Sequence, residues 1–311
     1  MAEGGPAEGK DVGEFRSGYV TIIGEPNVGK STLLNGLLKQ KISIVTNKPQ
    51  TTRHRILGIY SADTFQIVFL DTPGIIAPRY LLHEAMMRSA SSAIADADVL
   101  MFLVDASTAT GTGLVDDEAF KKLEGFRKPV FLVLNKIDLM PKARLLPIME
   151  AYAKAIPFTE IFPISALKGD GTAELLAAMV PHLPVHPPYF PTDIVSEQSQ
   201  RFFVSEIIRE KVFLTCREEV PYSTTVDVVD FKEREAGKWF VSADIVVERD
   251  SQKGIVIGKK GSMLKEIGRL ARIDAERFLE HAVFLELHVK VREKWREKDE
   301  WIKRFGYGQD R

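Results

Sequence analysis

Two hydrophobic patterns follow each other along the chain. From Tyr19 to about Pro181, continuous apolar runs alternate with amphipathic stretches. Continuous apolar runs are typical of parallel strands buried on both faces, and apolar residues three or four positions apart are typical of helices. Their alternation predicts a doubly wound α/β domain with a mostly parallel sheet. The predicted strands are 19–24, 64–71, 98–107, 129–136 and 161–166, and the predicted helices are 31–38, 81–95, 116–126, 143–155 and 172–182.

The second pattern begins after a proline-rich segment, 181–191, which holds five prolines. Proline has no backbone N–H, so this segment is predicted neither to continue a helix nor to enter a central strand. Beyond it, helical and period-two stretches are mixed, but not in βαβ order, which predicts an α+β domain. The predicted helices are 201–215 and 262–281, and the predicted strands are 223–231, 238–248 and 283–291. The predicted organisation is a disordered tail (1–16), an α/β domain (17–183), a linker (184–193) and an α+β domain (194–311).

Charge is unevenly divided in a 311-residue chain whose formal net charge is only −1. Residues 253–311 contain 15 Lys and Arg against 10 Asp and Glu, whereas the rest of the chain contains 27 against 33. A basic C-terminal region favours contact with phosphate groups, and a solvated helical face is the alternative explanation.

Cysteine content and the N-terminus bear on the cellular compartment. The single cysteine, Cys216, excludes an internal disulfide and favours a reducing environment, where we expect it to be a small buried apolar residue. The acidic, glycine-rich N-terminus is not a signal peptide, and no apolar run reaches the roughly 18 residues of a spanning helix. No Arg- and Ser-rich transit segment precedes the first strand, so we expect a bacterial cytoplasmic protein. Peripheral contact with the inner membrane stays open, although no anchor is encoded.

The candidate chemistry begins with a glycine-rich loop between the first predicted strand and helix. Its sequence, GEPNVGKS at 24–31, satisfies the pattern GxxxxGKS. Glycines let backbone N–H groups wrap around a phosphate, the lysine reaches the terminal phosphates and the hydroxyl binds Mg²⁺. The helix that follows presents its N-terminus to the anion. The predicted phosphate site comprises Gly24, Pro26, Asn27, Val28, Gly29, Lys30, Ser31 and Thr32.

Three further motifs follow predicted strands, at the edge where parallel sheets bind ligands. DTPG (71–74) places a carboxylate near the metal and a glycine N–H near the terminal phosphate. NKID (135–138) offers a carboxylate that accepts from the ring and exocyclic nitrogens of guanine, which adenine cannot match, and SAL (165–167) would close over the base. Together they favour GTP over ATP. The predicted contacts are Asp71, Gly74, Asn135, Lys136, Asp138, Ser165, Ala166 and Leu167.

These motifs resemble those of the Ras-like GTPases, in the branch of bacterial ribosome-assembly GTPases. The resemblance implies GTP and GDP as ligands and Mg²⁺ as cofactor, with a threonine of the first switch completing the metal shell. The candidate switch segment is NKPQTTRHR (47–55), in which Thr52 is assigned and Thr51 is the alternative. The implied metal residues are Ser31, Thr52 and Asp71, and the implied catalytic residues are Lys30, Asn27, Thr52 and Gly74.

Hydrolysis needs an oriented water molecule. Many related GTPases use a glutamine directly after the DxxG glycine, but this chain has Ile75 there. Isoleucine forms no side-chain hydrogen bond, so backbone groups, another side chain, an ion or a partner must position the water. Resemblance to K⁺-stimulated GTPases implies that Asn27 helps to coordinate potassium, and the alternative is that Asn27 only stabilises the loop turn. We expect slow intrinsic hydrolysis that is faster in K⁺ than in Na⁺.

The second domain contains a GxxG loop, GKKG at 258–261, ahead of a helical stretch with basic residues. Glycines let the backbone approach a sugar–phosphate chain closely, and the setting resembles a type II KH domain, with two strands before the loop and one after. A helix-capping loop with solvated lysines is the alternative. The predicted core face of the helix is Met263, Leu264, Ile267 and Leu270. The implied RNA contacts are Ile257, Gly258, Lys259, Lys260, Gly261, Lys265, Arg269 and Arg272.

A Ras-like GTPase followed directly by a type II KH domain resembles the Era family, over roughly residues 18–307. The resemblance implies a GTPase that binds the 3′ end of small-subunit (16S) rRNA and acts in 30S subunit maturation, with the GTP state gating RNA association. Two alternatives stay open: a GTP-gated RNA-binding scaffold with incidental hydrolysis, and a GTPase with a protein or membrane-surface partner. We expect a monomer, in which Trp295 and Trp301 are packing anchors rather than base-stacking side chains.

Overall fold

The computed structural model describes residues 14–110, 118–123 and 125–308. The first half contains strands β1 (Arg16–Ile23), β2 (Ile56–Ser61), β3 (Phe65–Asp71), β4 (Val99–Asp105), β5 (Val130–Asn135) and β6 (Glu160–Pro163). Its helices are α1 (Lys30–Leu38), α2 (Leu81–Asp96), α3 (Glu118–Lys121), α4 (Leu145–Ala155) and α5 (Thr172–Met179). The strands form one sheet in the order β2-β3-β1-β4-β5-β6, and every pairing is parallel except that of β2 with β3. The predicted doubly wound, mostly parallel sheet is confirmed.

Both faces of this sheet are covered, as its continuous apolar strands predicted. Met101 and Leu103 of β4 pack in an apolar cluster with residues of α1 and α5. Leu100 and Phe102, which alternate with them, pack in a second cluster with residues of α3 and α4. With its faces occupied by helices, the sheet can bind a ligand only at an edge, and in such folds that edge is the one at the carboxyl ends of the strands.

Some element bounds differ from the sequence prediction. β2 was not predicted because Gly58 interrupts its apolar residues and its place depends on antiparallel pairing with β3. In the predicted helix 116–126, residues 116, 117 and 124 lie outside the described residues, and α3 ends at Lys121. The predicted helix 172–182 is α-helical to Met179 and continues as a 3₁₀ turn, Val180–His182.

The second half has a smaller sheet of three strands, in the order β7-β8-β9. Its strands are β7 (Thr225–Lys232), β8 (Trp239–Val247) and β9 (Val283–Val291). Its helices are α6 (Gln200–Thr215), α7 (Asp250–Ile257), α8 (Ser262–Leu279) and α9 (Asp299–Arg304). β7 and β8 are antiparallel, whereas β8 and β9 are parallel and are joined through α7 and α8. Two strands thus precede the GKKG loop and one follows it, as predicted for type II KH order.

Helix α7 and the buried face of α8 correct the sequence prediction. The sequence predicts only a short apolar run at 255–257, because Gly254 is unfavourable in a helix. The structure nevertheless has helix α7 there, and Gln252 caps it by accepting from the N–H groups of Glu248 (3.0 Å) and Arg249 (3.2 Å). Of the predicted core face of α8, Ile267 is buried, Met263 and Leu264 are partly buried, and Leu270 is outside the cluster. The face is completed by Ala271, Ala275 and Leu279, of which the two alanines give little hydrophobic signal.

The predicted linker, 184–193, forms one isolated bridge and otherwise neither helix nor strand. It packs along the first sheet rather than standing free. Ser17 donates its N–H to Pro184 O at 3.1 Å, and the Oε1 of Gln66 accepts from Tyr189 N at 2.8 Å. These hydrogen bonds fix where the chain leaves the first half.

The remaining predictions about the fold concern the N-terminal tail, Trp295 and Cys216. Arg16 already belongs to β1, while residues 1–13 of the predicted tail lie outside the described residues. Trp295 is fully buried and donates its Nε1–H to Ser223 O at 2.8 Å, so it is a packing anchor as predicted. Cys216 is buried, also as predicted. Among the described residues, no helix has both the length and the apolar character needed to cross a bilayer.

Candidate functional site

The glycine-rich loop joins the end of β1 to the start of α1. Gly24 and Gly29 have φ angles of 148° and 104°, which residues with a Cβ rarely adopt. A Cβ on Gly29 would lie 2.2 Å from Asn135 Nδ2, so only glycine fits there. Lys30 is buried, and its Nζ donates to Gly24 O (3.1 Å) and Glu25 O (2.8 Å). Burial lowers the pKa of Lys30 to about 8, and a bound phosphate would give this ammonium an anionic partner.

The three predicted metal residues lie together beside this loop. Ser31 Oγ donates to Asp71 Oδ2 at 2.7 Å and lies 2.9 Å from Thr52 Oγ1. Asp71 is fully buried, which raises the pKa of its carboxyl, and within the described structure its Oδ1 has no hydrogen-bond partner. A buried polar atom without a partner is costly, and a hydrated cation would satisfy it. Mg²⁺ takes few carboxylates and keeps waters and substrate phosphates, so these residues fit that ion.

The two candidate threonines of the switch segment have different surroundings. Thr51 Oγ1 lies 2.6 Å from Thr46 Oγ1 and donates to Lys48 O at 2.7 Å. Thr52 instead places its hydroxyl next to Ser31. The geometry therefore favours Thr52 over Thr51 as the metal-side residue.

The base-recognition motifs are tied to the glycine-rich loop. Asn135 donates from Nδ2 to Val28 O at 2.8 Å and accepts at Oδ1 from Ala166 N at 2.9 Å, so it links three loops at the strand ends. Ser165 Oγ donates to Asp138 Oδ1 at 2.7 Å. This hydrogen bond orients the carboxylate that would read guanine.

Lys136 is held between the glycine-rich loop and the end of β4. Its Nζ donates to Asn27 O and to Asp105 Oδ2, both at 2.7 Å. Although partial burial raises the pKa of Asp105, hydrogen bonds from Lys136 and Ser107 bring it below its usual value. Asp105 was missed in the sequence, where its only signal is a carboxylate at the end of a predicted apolar strand.

These groups surround one cavity of about 430 Å³. Its lining includes the predicted residues Pro26, Asn27, Gly29, Lys30, Ser31, Thr32, Thr52, Gly74, Asn135, Lys136, Asp138 and Leu167. The predicted residues Gly24, Val28, Asp71, Ser165 and Ala166 do not line it but hydrogen-bond to residues that do. The lining also includes Thr51, the alternative threonine, and the residues that the sequence did not single out are Ile44, Val45, Thr46, Asn47, Gln50 and Leu139. Most lie in or next to the switch segment, for which the sequence predicted only a threonine.

The switch segment is bonded to the second half of the chain through Arg53. This side chain is 2% exposed and donates to Thr224 O (2.7 Å), Pro221 O (3.0 Å) and Tyr222 O (3.0 Å). Its guanidinium also lies 5.5 Å from the ring centre of Phe213 on α6. Arg53 is therefore a fixed contact between the two halves, a role that its position in the motif did not reveal.

Helix α6 contacts the same segment at two further places. Lys48 Nζ donates to the carbonyls of Phe213 and Cys216, at the C-terminal end of α6, where cations are favoured. Arg209 donates from Nη2 to Thr51 O at 2.6 Å. The switch segment is thus held to the second half on both sides of Thr52, by the Thr51 carbonyl before it and by the Arg53 side chain after it.

His54 extends this contact toward the C-terminus. Its ring stacks on Tyr307 with centroids 4.3 Å apart and meets the edge of Phe202 at 5.3 Å. Burial lowers the pKa of His54 to about 4, so the ring is neutral at pH 7.

The GKKG loop forms a turn at the start of α8. Gly258 and Gly261 have φ angles of 72° and 77°, and Lys259 and Lys260 between them are exposed. A groove of about 700 Å³ runs beside the loop between α8 and β9. The predicted RNA contacts that line it are Gly261, Lys265, Arg269 and Arg272, whereas Gly258, Lys259 and Lys260 lie in the loop beside it and Ile257 is the last residue of α7. Arg269 is ion-paired with Glu266 at 2.7 Å, which an incoming phosphate would have to displace.

Comparisons with known proteins match both halves. Residues 19–136 match the family described as 50S ribosome-binding GTPase, and residues 219–296 match the KH domain. GTPase Era of Geobacter metallireducens is 52% identical over 294 residues, which cover 94% of this chain and 98% of the relative. GTPase Era of Syntrophus aciditrophicus is 48% identical over 299 residues, which cover 95% and 96%.

Two crystal structures resemble the whole chain. An Era variant of Aquifex aeolicus bound to GDP and AlF4⁻ superposes with a TM-score of 0.88 at 41% identity, covering 95% of this chain and 100% of that one. Era in complex with MgGDPNP and nucleotides 1506–1542 of 16S ribosomal RNA superposes with a TM-score of 0.89 at 40% identity, with the same coverage.

The fold and the site define a P-loop GTPase with a C-terminal KH domain. About half of all residues are identical to curated relatives over nearly the full length of both chains. The chain belongs to the Era family of GTPases.

Proposed function

We propose that this chain hydrolyses GTP and uses the nucleotide state to time its binding to the 3′ end of 16S rRNA during 30S subunit maturation. The support is the likeness to Era bound to MgGDPNP and to nucleotides 1506–1542 of 16S rRNA. In this proposal residues 17–183 are the GTPase unit, 194–311 the RNA-binding unit and 184–193 their linker. We also propose that the chain works as a monomer in the bacterial cytoplasm.

The observation that carries the timing proposal is the docking of the switch segment on the second half. Thr52 lies beside the candidate metal site, and the next residue, Arg53, is bonded to three carbonyls at 221–224. In GTPases the terminal phosphate and its Mg²⁺ order the switch, and hydrolysis releases it. Loss of the phosphate would loosen the segment on which the RNA-binding unit rests.

We assign the nucleotide roles from the geometry of the cavity. Lys30 neutralises the terminal phosphates, the N–H of Gly74 meets the γ-phosphate, and Asp138 accepts from guanine. When bound, Mg²⁺ neutralises charge that develops on the phosphates. The residues that would hold it are Ser31, Thr52 and Asp71.

We further propose that Asn27 binds K⁺ during hydrolysis. Asn27 is exposed, and its Nδ2 donates to Asn47 O at 3.1 Å, which makes Oδ1 the side-chain atom that can face a cation. Hydrolysis rates in matched KCl and NaCl buffers test this: we expect a faster rate in K⁺, and Asn27→Ala should remove the difference. Equal rates in the two salts would contradict the proposal and leave Asn27 a turn-stabilising residue.

RNA binding is tested by anisotropy of a labelled RNA with the 3′-terminal 16S sequence. We expect the affinity of the full chain for this RNA to differ at least about 5-fold between the complex with a non-hydrolysable GTP analogue and the complex with GDP. Gly261→Asp should weaken binding in both states, because it adds an anion beside the groove. Gly125→Asp is a matched control, since both glycines have positive φ and no atom within 4 Å of an added Cβ.

Each contrary result has a defined meaning. If Gly261→Asp leaves RNA affinity and its salt dependence unchanged, the second unit does not bind RNA and a protein or membrane surface is its partner. If a variant that binds GTP without hydrolysing it supports growth in place of the natural protein, hydrolysis is incidental and the chain is a GTP-gated scaffold.

A further inference from the structure

The side chain of Ile75 is withdrawn from the nucleotide cavity. Ile75 is 5% exposed and packs in the apolar cluster that contains Ile23 and Phe102, on one face of the first sheet. Its N–H donates to Gly24 O at 3.2 Å, which fixes the backbone after the DTPG motif. The position that supplies a glutamine in other GTPases therefore contributes no polar group to the nucleotide cavity, which Gly74 itself lines.

Gln50 of the switch segment reaches this space. It lines the nucleotide cavity together with Lys30, Thr52 and Gly74. It also lines a second cavity, of about 580 Å³, formed by residues after DTPG and by the start of α2. Pro26 is shared by both linings, and a Cβ on Gly74 would lie only 2.9 Å from it. Gln50 thus stands where the two cavities meet, at the contact between the phosphate loop and DTPG.

The amide of Gln50 is held by a buried histidine. Gln50 Oε1 lies 3.0 Å from Nε2 of His83, which is 4% exposed on α2. Nδ1 of His83 accepts from Arg79 N at 3.4 Å, so Nε2 carries the hydrogen and donates to Gln50. Burial, followed by the charges of Arg53, Arg296 and Arg79, lowers the pKa of His83 to about 4, which keeps this ring neutral.

The backbone of Gln50 is strained in a way that supports a functional role. Its φ is 59°, in the left-handed region that non-glycine residues seldom adopt. Such conformations persist where surrounding contacts enforce them, and they concentrate at functional sites. Here the conformation directs a polar side chain across the rim of the phosphate site.

We propose that Gln50 orients the attacking water in GTP hydrolysis, and that His83 is a positioning residue that fixes the Gln50 amide. The second lone pair of Gln50 Oε1 accepts a hydrogen bond from the water, and its Nε2–H₂ donates toward the phosphate oxygens. The water oxygen bonds to the γ-phosphorus as the bond to the β,γ-bridging oxygen breaks. The proton of the water passes to the released phosphate, and GDP leaves, so no side chain is consumed.

The test is single-turnover GTP hydrolysis, without RNA, by the full chain and its variants. We expect Gln50→Ala to lower the rate about 10- to 100-fold, as loss of a positioned group does, while the affinity for a GTP analogue changes less than about 3-fold. His83→Ala should lower it by a similar factor, and the double variant should be no slower than the slower single one. Gln200→Ala, at the exposed start of α6, is the matched control and should keep the natural rate.

A second readout separates orientation of water from a structural effect. GDP with AlF4⁻ mimics the transferring phosphoryl group, so Gln50→Ala should weaken binding of that pair while GDP alone binds as before. A rate within 3-fold of the natural one with intact AlF4⁻ binding would overturn the proposal. Equal weakening of GDP and of GDP–AlF4⁻ would also overturn it, because Gln50 would then be a nucleotide-binding or structural residue. RNA timing plays no part in either measurement, so its failure leaves this test unaffected.

Discussion

Replacement of Arg53 by methionine is the sharpest test of how the two halves communicate. Methionine keeps an unbranched apolar body beside Phe213 but removes the guanidinium. The carbonyls of Thr224, Pro221 and Tyr222 then lose donors at 2.7, 3.0 and 3.0 Å. The second cation near Phe213 is unchanged: the guanidinium of Arg209 lies 5.3 Å from the centre of that ring.

The size of the expected loss of stability follows from the burial of Arg53 and from the number of carbonyls that it binds. A hydrogen bond from a charged donor contributes roughly 1.5–3 kcal/mol, and Arg53 donates such bonds to three neutral carbonyls. The three bonds are not independent, because they share one guanidinium and the carbonyls are partly rehydrated when it is gone. We therefore expect a total loss of about 3–5 kcal/mol, most of it in the contact between the halves.

Two probes follow the two halves separately during urea unfolding. All three tryptophans, Trp239, Trp295 and Trp301, lie in the second half, so intrinsic fluorescence reports on that half. A fluorescent GDP reports on the nucleotide site. In the natural chain we expect the two transitions to be closely spaced, and in Arg53→Met we expect them to separate. The same variant should lose most of the difference in RNA affinity between GTP-analogue and GDP states.

Arg217→Met is the control, because Arg217 is exposed in the loop after α6. It should change neither transition by more than about 0.5 kcal/mol. If Arg53→Met behaves like this control and keeps its nucleotide-dependent RNA affinity, then the bonds to 221–224 do not couple the two halves and the reasoning is wrong.

Three further predictions rest on other contacts. The folded-state pKa of His54, about 4, is below the unfolded value of about 6.5, so the unfolded chain binds more protons, and the contribution of His54 to stability is full above pH 6.5 and falls by roughly 2 kcal/mol by pH 5. His83 has a similar shift, so His54→Gln should make the profile measured by urea unfolding less steep without flattening it. Lys259→Ala and Lys260→Ala should each reduce the slope of log RNA affinity against log salt by about 1, in a titration from 50 to 300 mM KCl, and an unchanged slope would place both lysines away from phosphate. Asp105→Asn should weaken GDP binding about 10-fold in calorimetry, because Lys136 loses its carboxylate partner, and Asp105→Glu should recover part of the loss.

The nucleotide site could be predicted in the sequence because its motifs are local and lie at strand ends. Lys30, Asp71 and Asp138 each stand in a short motif whose spacing is set by the chemistry of phosphate, metal or base. The roles of Arg53 and Gln50 could not be predicted in this way. Their partners lie 168 to 171 positions away for Arg53 and 33 positions away for Gln50, and nothing near them in the chain identifies those partners. Helix α7 was missed for a different reason, since its central Gly254 contradicts helix propensity and only packing in the second half overrides it.

One peptide bond joins the residue beside the candidate metal site, Thr52, to the residue that contacts the second half, Arg53. The Thr52 hydroxyl faces Ser31 and the candidate metal site, whereas the next side chain, Arg53, reaches the second half. Adjacent Cα atoms are about 3.8 Å apart across a rigid trans peptide, so a displacement of Thr52 is passed directly to the backbone of Arg53. On the preceding side, Arg209 holds Thr51 O, so the hydroxyl of Thr52 has contacts from the second half on both flanks. In the proposed function, a ligand that fixes Thr52 favours the docked arrangement, and by thermodynamic reciprocity RNA that binds one arrangement more tightly changes the affinity for that ligand by the same factor.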